Sequence, residues 1–190
     1  MFFIIEHLEP KLSEWLFIEY SHAARIIGRE RVLITNVKRK SEFRKLAKLA
    51  HIEHKRARDL FKQRELIVLD PRARKKLSPS DLLNKKAIVM GGILGEDPPL
   101  GRTRKLLTKT LPRAPARNLG ECQFAIDGAA YMAKRVTEGH HLERMPVQLG
   151  LEIRWSKGHS TLLPYAFPLV RGKPLIANKL IAYLKRKPWF

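Results

Sequence analysis

The chain has 190 residues, with 38 Lys and Arg against 18 Asp and Glu, for a formal charge of +20. Its one cysteine, Cys122, excludes an internal disulfide framework and a multi-cysteine zinc site. No apolar run approaches the ~18 residues needed to cross a bilayer, and Met1–Ile5 is cut short by Glu6 with no basic segment before it, which is not a secretory signal. The expectation is a cytoplasmic domain with trimmings, hydrophobic enough to bury a core and surrounded by a positive field that attracts polyanions, nucleic acid first among them.

In chain order, Phe2 to Leu8 reads as a buried strand. Ser13 is placed to cap a helix whose apolar positions Leu16, Phe17, Tyr20, Ala23, Ala24 and Ile27 recur at helical spacing, with Gly28 closing it. Val32 to Val37 is a second strand, and Ser41 to Phe61 reads as one long helix with Phe43, Leu46, Leu49 and Ala50 on one face. Leu66 to Leu69 is a third strand, stopped by Asp70-Pro71. Ser78-Pro79 opens a short helix. Ala87 to Leu94 is a fourth strand running into glycines. Thr103 to Leu111 is helical, Pro115 to Leu119 a fifth strand, and Gln123 to Glu138 a helix ended by Gly139. Val147 to Trp155 alternates like a strand, and Leu175 to Lys187 has the pattern of a terminal helix.

Repeated strand–helix units predict an α/β fold: a parallel sheet with helices on both faces. Ligands of such sheets sit beyond the carboxyl ends of the strands, which directs attention to the loops after Leu69, Leu94 and Leu119. Residues 1–144 form the expected core domain, and residues 145–190 a basic extension packed on it.

The charge is uneven. Between Lys38 and Lys76 there are fifteen bases and five acids, and between Gly101 and Arg117 six bases and no acid. Arg44, Lys45, Lys48, Lys55, Arg56, Arg58 and Lys62 would form the outer face of the long helix, with Lys38, Arg39 and Lys40 just before it. Arg102, Arg104, Lys105 and Arg117 form a second cluster, and Lys185, Arg186 and Lys187 a third. All are candidates for phosphate contacts, which position a nucleic acid without reading its sequence.

Two turns stand where a ligand would sit. Gly91-Gly92-Ile93-Leu94-Gly95-Glu96-Asp97-Pro98-Pro99 permits close backbone approach, but it is neither a dinucleotide fingerprint nor a P-loop. Arg117-Asn118-Leu119-Gly120-Glu121-Cys122-Gln123 is a polar turn before a helix. Together they would flank one crevice. His51 and His54, read as neighbours on a helix, and His140-His141 in a turn lack the partners of a metal site. Cys122 has no histidine partner that would make it a nucleophile.

Taken in order, Ile4-Ile5-Glu6-His7-Leu8-Glu9, Ser13-Glu14-Trp15, Glu19-Tyr20, Leu69-Asp70-Pro71-Arg72-Ala73, Gly91 to Pro99 with Arg102-Thr103, and Arg117-Asn118-Leu119-Gly120 with Gln123 and Asp127 resemble a family. It is the SPOUT-superfamily branch that includes a fungal protein-arginine methyltransferase acting on a small-subunit ribosomal protein, with archaeal relatives in the same branch. The resemblance covers residues 2–139. It implies an α/β knot with a deep C-terminal trefoil and a bent S-adenosylmethionine held among the knot loops. Carried over, the cofactor-binding residues are Leu69, Asp70, Gly91, Gly92, Ile93, Leu94, Gly95, Leu119, Gly120 and Gln123.

Methyl transfer to an arginine requires a carboxylate that orients the guanidinium and accepts charge as a proton leaves. Glu6, Glu9, Glu14 and Asp97 are the candidates, with Glu14 and Asp97 preferred as catalytic residues. If the acceptor is rRNA, Arg102 and Arg117 steer its phosphates. The reading is therefore a methyltransferase working on the ribosome as a monomer. The alternative is a stoichiometric rRNA-binding component of the ribosome that keeps the fold and an idle or retained pocket.

Overall fold

The structure, a computed structural model, describes residues 1–95, 98, 100–156 and 159–186. Strand β1 (Phe2–His7) lies at the centre of a six-stranded sheet, paired in parallel with β2 (Val32–Thr35) on one side and β5 (Ala87–Gly92) on the other. Outward from these run β3 (His51–Ile52) beyond β2, and β4 (Leu66–Leu69) then β6 (Ala116–Arg117) beyond β5, giving the order β3-β2-β1-β5-β4-β6. Every pairing in it is parallel.

A parallel sheet covered on both faces requires apolar residues at consecutive positions, because neighbours along a strand point to opposite sides. Phe3 and Ile5 of β1 join Ile34, Ile67, Ile88 and Met90 in one core, while Ile4 joins Leu66, Val68, Ala87 and Val89 in the other. The first core is covered by α1 (Glu14–Ile27) and α5 (Ile126–Thr137). The second is covered by α3 (Ala57–Leu60) through Ala57, and by the segment after α4 (Arg102–Leu106) through Leu107, Leu111 and Ala114. Ser13 accepts the Leu16 amide and caps α1, and Gly28 ends it at φ 103°, a conformation open to glycine.

The long basic helix expected over residues 41–61 is broken into pieces. Helix α2 stops at Leu46 (Lys40–Leu46), the chain turns through Ala47–Ala50, and β3 follows before α3. The open edge of β2 wins over the helical pattern. Glu53 donates its amide to Ile34, while Asn36 and Val37 donate to Lys55 and Glu53, so the segment is drawn alongside the sheet as extended chain. His51 consequently sits on β3, not on a helix, and His54 stacks on Phe43 with ring centroids 4.6 Å apart.

The last part of the chain is more regular than its sequence suggests. β7 (Val147–Ser156) and β8 (His159–Val170) form an antiparallel pair, extended by β9 (Lys173–Pro174) and followed by α6 (Asn178–Arg186). β8 escaped the sequence reading because Pro164 and Pro168 interrupt it. The register shifts between Leu149 and Leu151, and Gly150 at φ 69° takes the bend opposite Pro164. Ile153, Leu163, Phe167, Leu180 and Leu184 pack with Ile18 of α1 in a third core, which seats this unit on the main domain.

Candidate active site

The three loops singled out in the sequence meet. Leu69, Asp70, Pro71 and Arg72 after β4, Gly91, Ile93, Leu94 and Gly95 at the end of β5, and Arg117, Asn118, Leu119, Cys122 and Gln123 after β6 line one cavity. Met90, Phe124, Ile126 and Ala129 complete its apolar wall, around a cavity of about 120 Å³.

Its glycines do different work. Gly95 is hemmed in: a Cβ there would lie 2.4 Å from the Tyr165 ring and 2.5 Å from Gln123 Nε2. The Tyr165 hydroxyl donates to the Gly95 carbonyl at 2.9 Å, so β8 holds the loop from outside. Gly92 does not line the cavity. It packs on the opposite side, where a Cβ would lie 1.9 Å from the Tyr20 hydroxyl. Gly120 is also absent from the lining and serves the turn at φ 110°, where its amide donates to Asn118 Oδ1 at 2.9 Å.

Ion pairs fix the loops. Asp70 accepts from the Arg72 amide at 2.8 Å, Thr108 at 2.9 Å and Arg104 at 3.2 Å, so its carboxylate is spent on holding the loop. Arg117 forks onto Asp81 Oδ1 at 2.6 and 2.9 Å, and these bonds hold the Asp81 carboxyl below its ordinary range. Glu9 Oε1 accepts from the Leu94 amide at 3.0 Å and from Arg102 at 2.9 Å.

Of the two preferred catalytic carboxylates, Glu14 does not line this cavity. Glu14 stands at the start of α1, half exposed and paired with Arg186 at 2.7 Å. Its place there follows from the positive end of the helix, which favours an acid in the first turn. Asp97 lies outside the described residues, as does Lys187.

The basic residues divide into two groups. Lys40, Arg44, Lys45, Lys48, Lys55, Arg58, Lys62, Lys105 and Lys185 are exposed. Arg56 is drawn inward instead of facing solvent: buried Glu6 accepts from its Nε at 2.7 Å, and the Leu106 carbonyl accepts from its Nη2 at 2.9 Å. Lys38 donates to the His54 carbonyl, and Arg39 lies 3.9 Å from Glu42.

A buried cluster absent from the sequence reading lies behind the cavity wall. Glu19 accepts from Trp15 Nε1 at 2.5 Å and from the Ile126 amide at 3.1 Å, beside Asp127, which holds His22 Nδ1 at 2.7 Å. The signal was three polar residues on otherwise apolar helix faces. Among the described residues, no group of three or more His, Cys, Asp or Glu is arranged to hold a metal ion, and no helix is long and apolar enough to cross a membrane.

A wholly parallel sheet whose last three strands end in loops around one glycine-lined cavity is an α/β fold structurally similar to the SPOUT methyltransferases. The family model described as protein arginine N-methyltransferase SFM1-like matches residues 2–188, and the chain belongs to that family. It is 30% identical over 202 residues to the protein arginine N-methyltransferase SFM1 of Saccharomyces cerevisiae, covering 98% of this chain and 95% of the relative. The structure of the yeast arginine methyltransferase SFM1 complexed with SAM superposes with a TM-score of 0.88 at 28% identity, over 97% of this chain and 90% of the other. The dual-specific Trm10 of Thermococcus kodakaraensis shares the fold at a TM-score of 0.62 and 17% identity, over 75% of this chain and 95% of the other.

Proposed function

We propose that the protein is an S-adenosylmethionine-dependent arginine methyltransferase that works in the cytoplasm, as a monomer, on an arginine of a ribosomal protein. The observation that carries the reading is the convergence of the Leu69–Arg72, Gly91–Gly95 and Leu119–Gln123 segments on one cavity. Family membership and the cofactor complex of the yeast relative point the same way.

The residues present fit the cofactor. Ile93, Leu94, Leu119 and Met90 offer apolar surface to an adenosyl group, and glycine at 91 and 95 lets the ligand approach the backbone closely. When bound, S-adenosylmethionine supplies a methyl group on a positively charged sulfur. The protein orients the acceptor, keeps water out and takes up the proton that the guanidinium sheds, since positioning contributes most in such displacements. The trefoil knot belongs to the same proposal. It is supported by the bridge between Lys76 and Asn118, which brings the segment after β6 against the β4–β5 connection before the chain crosses to α5.

Work on the ribosome is supported by the exposed bases of α2 and its following turn, Lys40, Arg44, Lys45 and Lys48, which have one acid, Glu42, among them. Calorimetry with S-adenosylmethionine is expected to show saturable binding, and its absence would sink the enzyme reading. Labelled methyl transfer to ribosomal subunits, followed by acid hydrolysis, is expected to yield methylarginine in protein; label in rRNA would overturn the acceptor. Co-sedimentation with ribosomes is expected to fade as salt rises. Retention at one copy per subunit in high salt would instead favour a resident structural component.

A further inference from the structure

A second cleft opens on the other side of the carboxyl end of β1, between it and α2, with a volume of about 380 Å³. His7, Glu9 and Glu42 line it together with Arg56, Lys38 and Arg39. We propose that this cleft receives the side chain of the acceptor arginine, with the guanidinium held between Glu9 and Glu42 against His7. The proposal rests on the arginine methyltransferase reading and adds where the acceptor sits.

Three polar atoms in this cleft have unused hydrogen-bonding capacity among the described residues. His7 is 4% exposed, and its Nε2 is buried without a hydrogen-bond partner, a costly arrangement for a polar atom unless something fills the cleft. Glu42 spends Oε1 on the Leu12 amide at 2.9 Å, and its Oε2 stands 3.8 Å from His7 Nε2, too far for a hydrogen bond. Glu9 takes both its bonds on Oε1, leaving Oε2 without one.

A guanidinium supplies what these atoms lack: it carries five N–H donors in a planar fork and no acceptor. Burial lowers the affinity of His7 for a proton, so a neutral ring can lie beside the cation. His7 Nδ1 lies 3.0 Å from the Tyr20 hydroxyl, and the tautomer in which Nδ1 donates to that hydroxyl presents Nε2 as an acceptor for the guanidinium. Of the cations in the walls, Arg56 is satisfied by Glu6 and the Leu106 carbonyl, Lys38 donates to the His54 carbonyl, and Arg39 stands 3.9 Å from Glu42 Oε1, the oxygen already bonded to the Leu12 amide.

The location fits a transfer reaction. Glu9 Oε1 holds both the Leu94 amide and Arg102, which line the cofactor cavity, while Glu9 itself lines the cleft. One carboxylate is therefore shared by the two compartments.

The test is calorimetric titration of N-acetyl-arginine methylamide into protein saturated with S-adenosylhomocysteine, with the His7 ring resonances followed by NMR. Saturable binding, a shift of the His7 resonance and a loss of about tenfold or more in affinity in Glu42→Gln are expected, because the charge-assisted bonds are lost. Glutamine can still accept from the Leu12 amide, and affinity for S-adenosylhomocysteine in the variant is expected to stay within about twofold. The proposal is overturned if no binding appears up to the solubility limit, or if the variant binds the arginine compound as well as the parent does. It is also overturned if the lysine analogue binds equally, or if inorganic phosphate rather than the arginine compound moves the His7 signal. If S-adenosylhomocysteine fails to bind the parent protein, the cofactor reading falls, and the same titration on the free protein still decides the cleft.

Discussion

Glu19 reaches from the middle of α1 to accept the backbone amide of Ile126 at 3.1 Å, joining the first helix to the residue that opens α5. Ile126 and its neighbours Gln123 and Phe124 are walls of the cavity beyond the strand ends. The carboxyl is buried, and burial together with the charge of Asp127 pushes its pKa up to about 8. A polar bond inside the main core thus sets one side of the active site.

This acid makes stability depend on pH in a definite direction. Its folded pKa exceeds the unfolded value of 4.5, so its contribution is complete below 4.5 and is lost as pH rises toward about 8. Glu19→Gln mimics the protonated form and removes that dependence. Thermal unfolding followed from about pH 5 to about pH 9 should move the variant's melting temperature upward relative to the parent's, by about 2–4 °C for each kcal/mol of linkage. A constant difference across this range would refute the assignment.

Gly92 at the end of β5 and Gly95 in the loop after it should behave differently. Gly92→Ala places a methyl group against the Tyr20 hydroxyl and the Glu6 carbonyl, and the expected result is overpacking that costs about 1–3 kcal/mol in denaturant titration. Gly95→Ala instead meets Tyr165 and Gln123 at the cavity wall. Calorimetry should show a loss of about tenfold or more in cofactor affinity in this variant, with a smaller change in melting temperature than in Gly92→Ala.

Tyr165→Phe keeps the ring and deletes the hydroxyl that bonds the Gly95 carbonyl. One neutral hydrogen bond is worth about 0.5–1.5 kcal/mol, so a two- to tenfold loss in cofactor affinity is expected with the fold retained. Unchanged binding would show that the loop holds its shape without β8.

Arg117→Lys loses the fork onto Asp81. The Asp81 carboxyl is depressed in the folded protein, so its contribution is present above the unfolded value of 3.8 and is lost as pH falls through the depressed one. The variant should melt below the parent at neutral pH, and the gap should narrow in acid. A gap of the same size throughout would assign the loss to packing instead.

The sheet was legible because both its faces are buried: continuous apolar runs such as Leu66–Leu69 and Ala87–Met90 have no other use in a chain this polar. The loops that line the cavity were legible for the same topological reason, since ligands gather beyond strand ends. Residues 41–61 misled because Phe43, Leu46, Leu49 and Ala50 keep helical spacing locally, while the bonds that break the helix come from β2, far away in sequence. Glu42 was hidden with them. Counted as one acid on a basic helix, it turns out to be buried beside His7. Glu14 was attractive as the acid of a motif, but Arg186, 172 residues on, decides what it touches.

The Tyr165–Gly95 contact also bears on how the protein is made. A nascent chain that has emerged as far as Gly150 already holds every strand of the parallel sheet and all three loops that line the cavity, yet lacks the hydroxyl that clasps the middle one. In chain order the three loops of the cavity therefore come before the hairpin that packs on α1 and α5 and carries the clasp.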